Sequence, residues 1–362
     1  MPIKAVFNED HDATLLEYEE RPLLPNEVRI QTEFASGKHG TTMHMMDGRK
    51  REGQRWDEDN RLFVPSDESD PDPVPDSQVG TSGVGVISET GADVRDWQVG
   101  DRVFGFMDVS ETNIITVDRA AEFIWPGFAE PSPWLIWELG DLDPLDALCF
   151  EPAYVAVNSV RESNVRFGDS VAVVGLGAIG LLTVKVAALA GADVIFSVDP
   201  IAKRRKLAQN YGAHHVIDPF ACDAALEIKE MTGGGGVDVA IEISGHYAAL
   251  DTAIRAARFG GTVCQAGAIA GNAAELWLGR EFLTNSLRMI VPRGNGAMEF
   301  APSDYPLWDQ YRVFDTIVSM MKQDKLTVPG LIDPLVSVED FPETFELIKH
   351  DPARVVKYGV HF

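Results

Sequence analysis

The spacing of hydrophobic and polar residues changes near residue 170. Before that point, short stretches such as Glu27–Thr32 and Val84–Ser88 alternate between hydrophobic and polar residues, and Gly, Pro and Asp separate them. This alternation is typical of strands with one buried face and predicts a β-rich N-terminal region. Two segments break it: Arg49–Ser77 is charged and contains proline, and Asp118–Asp143 concentrates aromatic residues. The first predicts a surface excursion, and the second an irregular loop that lines a pocket, buries a subunit contact or packs only locally.

From Ser170 onward, strands alternate with helical patterns. Ser170–Gly175 has the β-branched run of a strand buried on both faces, and Ala178–Ala190 is hydrophobic around most of a helix. This alternation over about 120 residues is typical of a doubly wound parallel sheet. After about Val291 the pattern becomes mixed, and we expect the tail to return to the first domain. The other predicted elements are strands at Asp193–Val198, His214–Asp218, Val237–Ile243, Thr262–Ala266 and Val355–Val360, and helices at Ala202–Tyr211 and Asp315–Lys322.

A glycine-rich turn joins this first strand to this first helix. Its first glycine permits a tight turn, its second lets backbone amides approach a pyrophosphate, and its third lets the helix pack closely on the strand. Asp199 follows nineteen residues after the last glycine, at the end of the next predicted strand. A carboxylate there binds the ribose hydroxyls of a dinucleotide and repels a 2′-phosphate. The turn consists of Gly175, Leu176, Gly177, Ala178, Ile179 and Gly180.

Three basic residues bear on the choice between NAD and NADP. Lys203, Arg204 and Arg205 lie four to six residues after Asp199, and basic side chains near the ribose can bind a 2′-phosphate. On the first turns of a helix, solvated basic residues are also common. Because Asp199 is present, the sequence predicts NAD as the cofactor.

The overall charge argues against two classes of partner. The chain has 362 residues, 45% of them hydrophobic, and a formal net charge of −25. Such an acidic surface repels phosphates, so we expect neither nucleic acid nor a membrane as a partner. No hydrophobic run approaches the roughly 18 residues of a membrane span, and the charged N-terminus is unlike a signal peptide. With three widely separated cysteines, these features predict a cytoplasmic protein of two domains.

Several segments, taken in order, form a set that is found together in one enzyme superfamily. Gly80–Ile87 and the later Val99–Val103 are similar to a glycine-rich block of that superfamily. Phe34–His44 is similar to the superfamily's segment around a cysteine that binds zinc. Glu151-Pro152 resembles the start of a long helix, and Val237–Gly245 a later Rossmann strand. On these motifs, the chain resembles the medium-chain dehydrogenase/reductase superfamily, which contains the zinc alcohol and polyol dehydrogenases.

This resemblance implies a fold, an assembly and further cofactor contacts. The fold is α/β: a GroES-like β-rich catalytic domain at residues 1–152 and 295–362, and a Rossmann domain with a doubly wound parallel sheet at residues 153–294. The implied assembly is a homodimer or homotetramer. Beyond the glycine turn and Asp199, the implied cofactor-binding residues are Arg204, Ser244, Gly245, Gly267, Ala268 and Lys357.

The chain departs from the superfamily at the zinc-ligand positions. His39 stands at the cysteine position, Thr81 at the histidine position and Ser82 at the neighbouring glutamate position. Glu151 alone is as the family has it, and a stable zinc site needs three or four ligands. The four close cysteines of the structural zinc lobe are also absent from the sequence. We therefore predict a zinc-free branch of the family; the alternative is an unfamiliar zinc site built from His39, His44 and Glu151.

Without a metal, a side chain must take the proton of the substrate hydroxyl. The resemblance places His39 at the nicotinamide, Thr41 at a relay hydroxyl and His44 at the outlet to solvent, and the histidine pKa lies near neutrality. Lys38 would stabilise an alkoxide. Glu151 has three open roles: it orients His39, it is itself the base, or it caps a helix that begins at Pro152. Each histidine also has an ordinary structural role as its alternative.

These residues predict reversible, NAD-linked oxidation of a secondary hydroxyl on a small-molecule alcohol, such as a sugar, cyclitol or polyol. Glu151-Pro152 and the aromatic segment favour such a substrate, because aromatic rings can stack on a sugar face. One alternative is a quinone or enoyl reductase that uses NAD(P)H, against which Asp199 argues. The other is a relative that binds the cofactor without catalysis.

Overall fold

The computed structural model describes residues 1–8, 12–37, 54–57, 59–66, 77–117, 136–269, 273, 276–292 and 310–362. Four predicted catalytic residues, Lys38, His39, Thr41 and His44, lie outside these ranges. Most of the aromatic segment, residues 118–135, lies outside them as well. The described residues include Glu151 and all of the predicted cofactor contacts.

Strands dominate the described part of the chain up to residue 138. The predicted strands Glu27–Thr32 and Val84–Ser88 are confirmed, and each lies within a longer strand. The strands are β1 (Ile3–Phe7), β2 (Ala13–Glu17), β3 (Glu27–Ser36), β4 (Gln54–Asp57), β5 (Leu62–Pro65), β6 (Ser77–Gln78), β7 (Ser82–Thr90), β8 (Arg102–Gly105), β9 (Thr112–Thr116) and β10 (Ile136–Glu138).

From residue 144, helices and strands alternate. The first of these elements are α1 (Pro144–Ala147), α2 (Phe150–Glu162), β11 (Ser170–Val174), α3 (Ala178–Leu189), β12 (Val194–Val198), α4 (Ala202–Asn210), β13 (His215–Ile217), α5 (Ala224–Met231), β14 (Val237–Glu242) and α6 (Tyr247–Ala256). They are followed by β15 (Ala257–Gln265), α7 (Glu281–Thr284), β16 (Arg288–Ile290), α8 (Gln310–Lys322), β17 (Ile332–Ser337), α9 (Phe341–His350) and β18 (Lys357–His361).

Strands β11 to β16 form one parallel sheet. Its order is β13-β12-β11-β14-β15-β16, so successive strands are added first on one side of β11 and then on the other. The carboxyl ends of β11 and β14 therefore flank the point where the winding reverses, which is where doubly wound sheets bind ligands. Buried hydrophobic side chains fill these strands, as in Val171–Val174. The predicted doubly wound parallel sheet is confirmed.

The N-terminal strands form a second, mostly antiparallel sheet. Its order is β10-β8-β7-β3-β18-β17, and β9 also pairs with β3. Strand β18 pairs antiparallel with β3 through Val360 and Ala35, so the C-terminal tail contributes to the N-terminal sheet. A helix-covered parallel sheet beside this sheet gives the predicted α/β class. Among the described residues, no helix is both long enough and hydrophobic enough to cross a membrane.

Two segments that looked irregular contain regular structure. Within the predicted excursion Arg49–Ser77, strands β4 and β5 form an antiparallel hairpin. Its described part lies at the surface, where Leu62 is 48% exposed. The interpretation of Asp118–Asp143 as loop is wrong at Ile136–Glu138, which is strand β10. Trp137 on this strand is buried against Phe104 and Phe150, with ring centroids at 5.8 and 5.4 Å, so this aromatic belongs to the core rather than to a pocket.

Candidate cofactor and active site

The glycine turn leaves the start of helix α3 open. Gly175 has a φ of +97°, and a Cβ atom added to it would lie 2.6 Å from Ser244 Cβ, so only glycine fits. A Cβ on Gly180 would collide with the Gly175 carbonyl oxygen. Gly177 is the N-cap of α3, makes no side-chain cap, and has nothing within 4 Å of an added Cβ. Open amides at the start of a helix favour an anion, so this turn fits a dinucleotide pyrophosphate.

Asp199 lies directly beside this turn, at the end of strand β12. It is only 4% exposed, and its Oδ2 accepts a hydrogen bond of 2.8 Å from the Leu176 amide. Its Oδ1 accepts a bond of 2.7 Å from the Ile201 amide. The carboxylate therefore connects the glycine turn to the end of the neighbouring strand. The sequence predicted that Asp199 binds the ribose, which remains a prediction, and did not indicate these contacts within the protein.

The basic residues after Asp199 are engaged within the protein. Lys203 Nζ lies 2.6 Å from Asp333 Oδ2. Arg205 Nη1 donates to the Asp199 carbonyl at 2.7 Å and lies 3.1 Å from Asp218 Oδ2. Both cations thus have carboxylate partners that compete with a cofactor phosphate.

Arg204 links helix α4 to the segment before strand β18. Its Nη2 donates to the carbonyls of Pro352 and Val355 at 2.9 and 3.2 Å. Its Nη1 lies 3.9 Å from Asp199 Oδ2. Burial lowers the pKa of the Arg204 guanidinium, and the negative charge of Asp199 acts in the opposite direction. The structure brings Arg204 close to the Asp199 carboxylate, while one nitrogen of Arg204 donates to the segment before strand β18.

Glu242, at the end of β14, has a buried carboxylate that the sequence did not indicate as a functional group. Four other predicted cofactor residues lie around it. Its Oε1 accepts bonds from the amides of Ser244 and Gly245 at 2.6 and 2.8 Å, and a further bond of 2.6 Å from the Ser244 hydroxyl. Its backbone carbonyl accepts from the Gly267 amide at 3.0 Å. A Cβ on Gly245, at φ +78°, would lie 2.7 Å from the Ala268 carbonyl oxygen. The feature of the sequence that could have indicated Glu242 is a charged residue at the end of a hydrophobic strand.

Glu151 lies where the N-terminal sheet meets helix α2. The helix begins at Phe150 with Cys149 as its N-cap, so the suggestion that Glu151 caps a helix beginning at Pro152 is wrong. Glu151 is fully buried in the first turn, and Thr81 Oγ1 donates to its Oε2 at 3.4 Å. The structure thus joins two residues that stand at zinc-ligand positions of the resembling family.

The hydroxyls at the zinc-ligand positions are occupied by protein partners. Ser82 Oγ donates to the Leu148 carbonyl at 2.9 Å, while Thr81 is bound to Glu151. Neutral hydroxyls are poor zinc ligands, so these residues do not fit the family's catalytic zinc. Within the described ranges, no three His, Cys, Asp or Glu side chains are grouped so that they could hold a metal ion. His39 and His44 are outside those ranges.

Lys357 reaches the start of the predicted catalytic segment. It is 1% exposed, and its Nζ donates to the Gly37 carbonyl at 2.9 Å. An added Cβ on Gly37 would lie 3.4 Å from Gly80 Cα, and the Thr81 amide donates to Ser36 at 2.9 Å. Lys357, Gly37 and Thr81 therefore form one neighbourhood beside the segment that contains the predicted base.

Comparison with known proteins agrees with this geometry. The family model described as zinc-binding dehydrogenase matches residues 178–305. D-Guloside 3-dehydrogenase of Escherichia coli (strain K12) is 35% identical over 365 residues, covering 99% of each chain. The crystal structure of 2R,3R-butanediol dehydrogenase from Bacillus subtilis has a TM-score of 0.74 at 23% identity, over 100% of both chains. A zinc-binding dehydrogenase from Sinorhizobium meliloti 1021 bound to NADP has the same TM-score at 21% identity, also over 100% of both chains.

The chain belongs to the zinc-binding dehydrogenase family of medium-chain dehydrogenases, because a relative at 35% identity matches it along nearly its whole length. The resemblance drawn from the sequence motifs is confirmed. Members of this family are dehydrogenases, so the chain is an oxidoreductase that acts with a nicotinamide cofactor on a small molecule. The solved structures, at 21% and 23% identity, confirm the α/β fold.

Proposed function

We propose that this oxidoreductase oxidises a secondary hydroxyl of a sugar, cyclitol or polyol, with NAD as the hydride acceptor and without a catalytic zinc. The observation that carries the proposal is the contact between Thr81 and the buried Glu151, which puts a neutral hydroxyl where the family places a zinc ligand. The relative at 35% identity is named for a sugar derivative and for position 3 of it, which is a secondary hydroxyl in a hexose ring. That name supports the substrate class.

The choice of NAD over NADP rests on charge. The Asp199 carboxylate accepts from the Leu176 amide in the glycine turn, and a 2′-phosphate beside it would be repelled. Lys203 and Arg205 are paired with Asp333 and Asp218, so binding a phosphate would require breaking these ion pairs. Both features favour NAD, whose ribose carries no 2′-phosphate.

In a zinc-free site the protein itself must remove the hydroxyl proton. When bound, NAD would accept the hydride that leaves the carbon carrying this hydroxyl. We assign the removal of this proton to His39. His39 follows two residues after Gly37, and the Gly37 carbonyl accepts a hydrogen bond from Lys357. Thr41 and His44 then pass the proton toward solvent, and Lys38 stabilises the alkoxide.

Glu151 has either of two parts in this scheme. As a positioning residue it holds Thr81 and orients His39; as the base it takes the proton directly. Glu151 is fully buried and accepts a hydrogen bond from the Thr81 hydroxyl, which supports the positioning role. His39 keeps the assignment because its ordinary pKa already suits the task.

The proposal is tested by a substrate panel on the purified full chain. Glycosides, sugars, polyols and simple alcohols are incubated with NAD or NADP, quinones are incubated with NADH or NADPH, and products are identified by nuclear magnetic resonance. We expect NAD-linked formation of a keto sugar or ketose. Reduction of quinones with NADPH and no sugar oxidation would identify the chain as a reductase. Cofactor binding without turnover on any substrate would identify a non-catalytic relative.

A variant tests the observation that carries the proposal. Thr81→Val removes the hydroxyl bound to Glu151 while keeping the shape, and we expect turnover to fall about tenfold, the effect of one lost hydrogen bond of ~1.4 kcal/mol. Thr81→Ser is the matched control, because it keeps the hydroxyl. NAD affinity should be unchanged in both. Unchanged turnover in Thr81→Val would show that the hydrogen bond between Thr81 and Glu151 does not contribute to catalysis.

A further inference from the structure

The Glu242 carboxylate is placed asymmetrically in its buried surroundings. The residue is fully buried, and its Oε1 accepts hydrogen bonds from the amide and the hydroxyl of Ser244 and from the amide of Gly245. Its Oε2 is buried and has no hydrogen-bond partner among the described residues. A buried carboxylate oxygen without a donor is costly, and such groups are found where function requires them.

This carboxylate lies at the ligand-binding edge of the parallel sheet. It ends β14, whose neighbour β11 leads into the glycine turn, and a Cβ on Gly175 would lie 2.6 Å from Ser244 Cβ. On the other side, a Cβ on Gly267 would lie 2.8 Å from Glu242 Oε2. The unpartnered oxygen therefore points toward the turn that follows β15.

The sheet order decides which half of a dinucleotide meets Glu242. A dinucleotide crosses such a sheet at the reversal point, with one nucleotide on each side. Asp199 marks the ribose of the adenine half, on the β12 side of β11. Glu242 lies on the β14 side, which receives the nicotinamide half.

We propose that Glu242 selects for the oxidised cofactor, because its buried negative charge attracts the positively charged nicotinamide ring of NAD⁺ and not the neutral ring of NADH. The inference rests on the proposed function, since it requires a nicotinamide cofactor at this edge. It assigns to Glu242 an electrostatic role in addition to holding the Ser244–Gly245 turn.

Among the described residues, hydrogen bonds rather than an ion pair offset the charge of Glu242. Burial raises the pKa of the Glu242 carboxyl, while the hydrogen bonds from Ser244 and Gly245 act in the opposite direction. Cys264 on the adjacent strand β15 is also buried, and burial raises the pKa of its thiol to about 12, so it stays neutral. No salt bridge joins Glu242 to a cation in the described part of the chain. An unpaired charge in a poorly screened site acts over several ångströms.

The test is the ratio of two dissociation constants. NAD⁺ and NADH are titrated calorimetrically into the protein at about pH 8.5, because burial raises the pKa of the Glu242 carboxyl and a higher pH favours its charged form. We expect Glu242→Gln to weaken the binding of NAD⁺ at least about fivefold more than that of NADH, because only the oxidised ring carries a positive charge that the carboxylate attracts. Glu230→Gln, which removes an exposed carboxylate from helix α5 in the same domain, should leave the ratio unchanged.

Several outcomes overturn the proposal. Equal weakening of both cofactors by Glu242→Gln would reduce the residue to a structural support for the turn. If the glutamine variant does not fold, Glu242→Asp keeps the charge but withdraws it by one methylene. This variant should weaken the binding of NAD⁺ relative to that of NADH by a smaller factor. An unchanged relative affinity for the two cofactors in the folded aspartate variant would contradict the inference. If the unmodified protein binds neither NAD⁺ nor NADH, the proposed function itself fails.

Discussion

The structure predicts that Asp199 stabilises the protein before any cofactor binds. Its carboxylate accepts from the Leu176 amide at 2.8 Å in a buried position and from the Ile201 amide at 2.7 Å in a partly buried one. Asp199→Ala removes both acceptors while leaving the two amides in place. The free energy of unfolding of the cofactor-free protein should therefore fall.

The magnitude follows from the burial of the two amides. A buried amide left without an acceptor costs about 1–3 kcal/mol, and a partly buried one that water can reach costs less. We therefore expect Asp199→Ala to lose about 2–4 kcal/mol. Asp199→Asn keeps one acceptor oxygen, and its loss should be about half as large.

Urea unfolding of the cofactor-free variants, followed by circular dichroism, measures this loss. Asp193→Ala is the control, because this aspartate is exposed just before the same strand. The reasoning is refuted if Asp199→Ala unfolds at the same urea concentration as the unmodified protein. If the loss is found, the cofactor preference of any Asp199 variant has to be measured on protein shown to be folded.

Three further outcomes are expected. NAD should bind at least about tenfold more tightly than NADP, a difference of ~1.4 kcal/mol in fluorescence titration, and equal affinities would mean that Lys203–Arg205 govern the site. His39→Ala should lower turnover about 10²–10⁴-fold, leave NAD affinity unchanged and abolish the increase of rate with pH that a histidine base produces, and His44→Ala should have a smaller effect. If His39→Ala is nearly active and Glu151→Gln is inactive, Glu151 is the base. A hydrogen bond to Glu227 raises the pKa of the exposed Cys222 thiol to about 11, so Glu227→Gln should speed its reaction with a disulfide reagent, and an unchanged rate would contradict this.

The elements that could be predicted from sequence are those that depend on local chemistry. The hydrophobic run before Gly175 and the glycine spacing after it are properties of a few adjacent residues, and the structure has β11 and α3 there. Gly175 adopts a φ of +97°, a requirement of the turn that glycine alone meets easily. Asp199 was identified for the same reason, since its distance along the chain from the turn is set by one helix and one strand.

The parts that could not be predicted depend on residues far apart in the chain. Arg204 donates to Val355, 151 positions away, and nothing in the local sequence indicates that partner. Trp137 lies in an aromatic-rich, turn-like stretch, yet contact with Phe314 and Phe150 buries it in a strand. Glu242 resembles any charged residue at the end of a strand until folding removes it from water.

The initial rate of NAD reduction with the sugar or polyol found in the substrate panel, on protein whose zinc content is measured in the same sample, tests the central claim most directly. The zinc-free scheme predicts a metal content far below one zinc per chain and a rate that is unchanged after chelation and dialysis. About one tightly bound zinc per chain, with a rate that falls on its removal and returns when zinc is added, would contradict the scheme. His39, His44 and Glu151 would then be the ligands to examine.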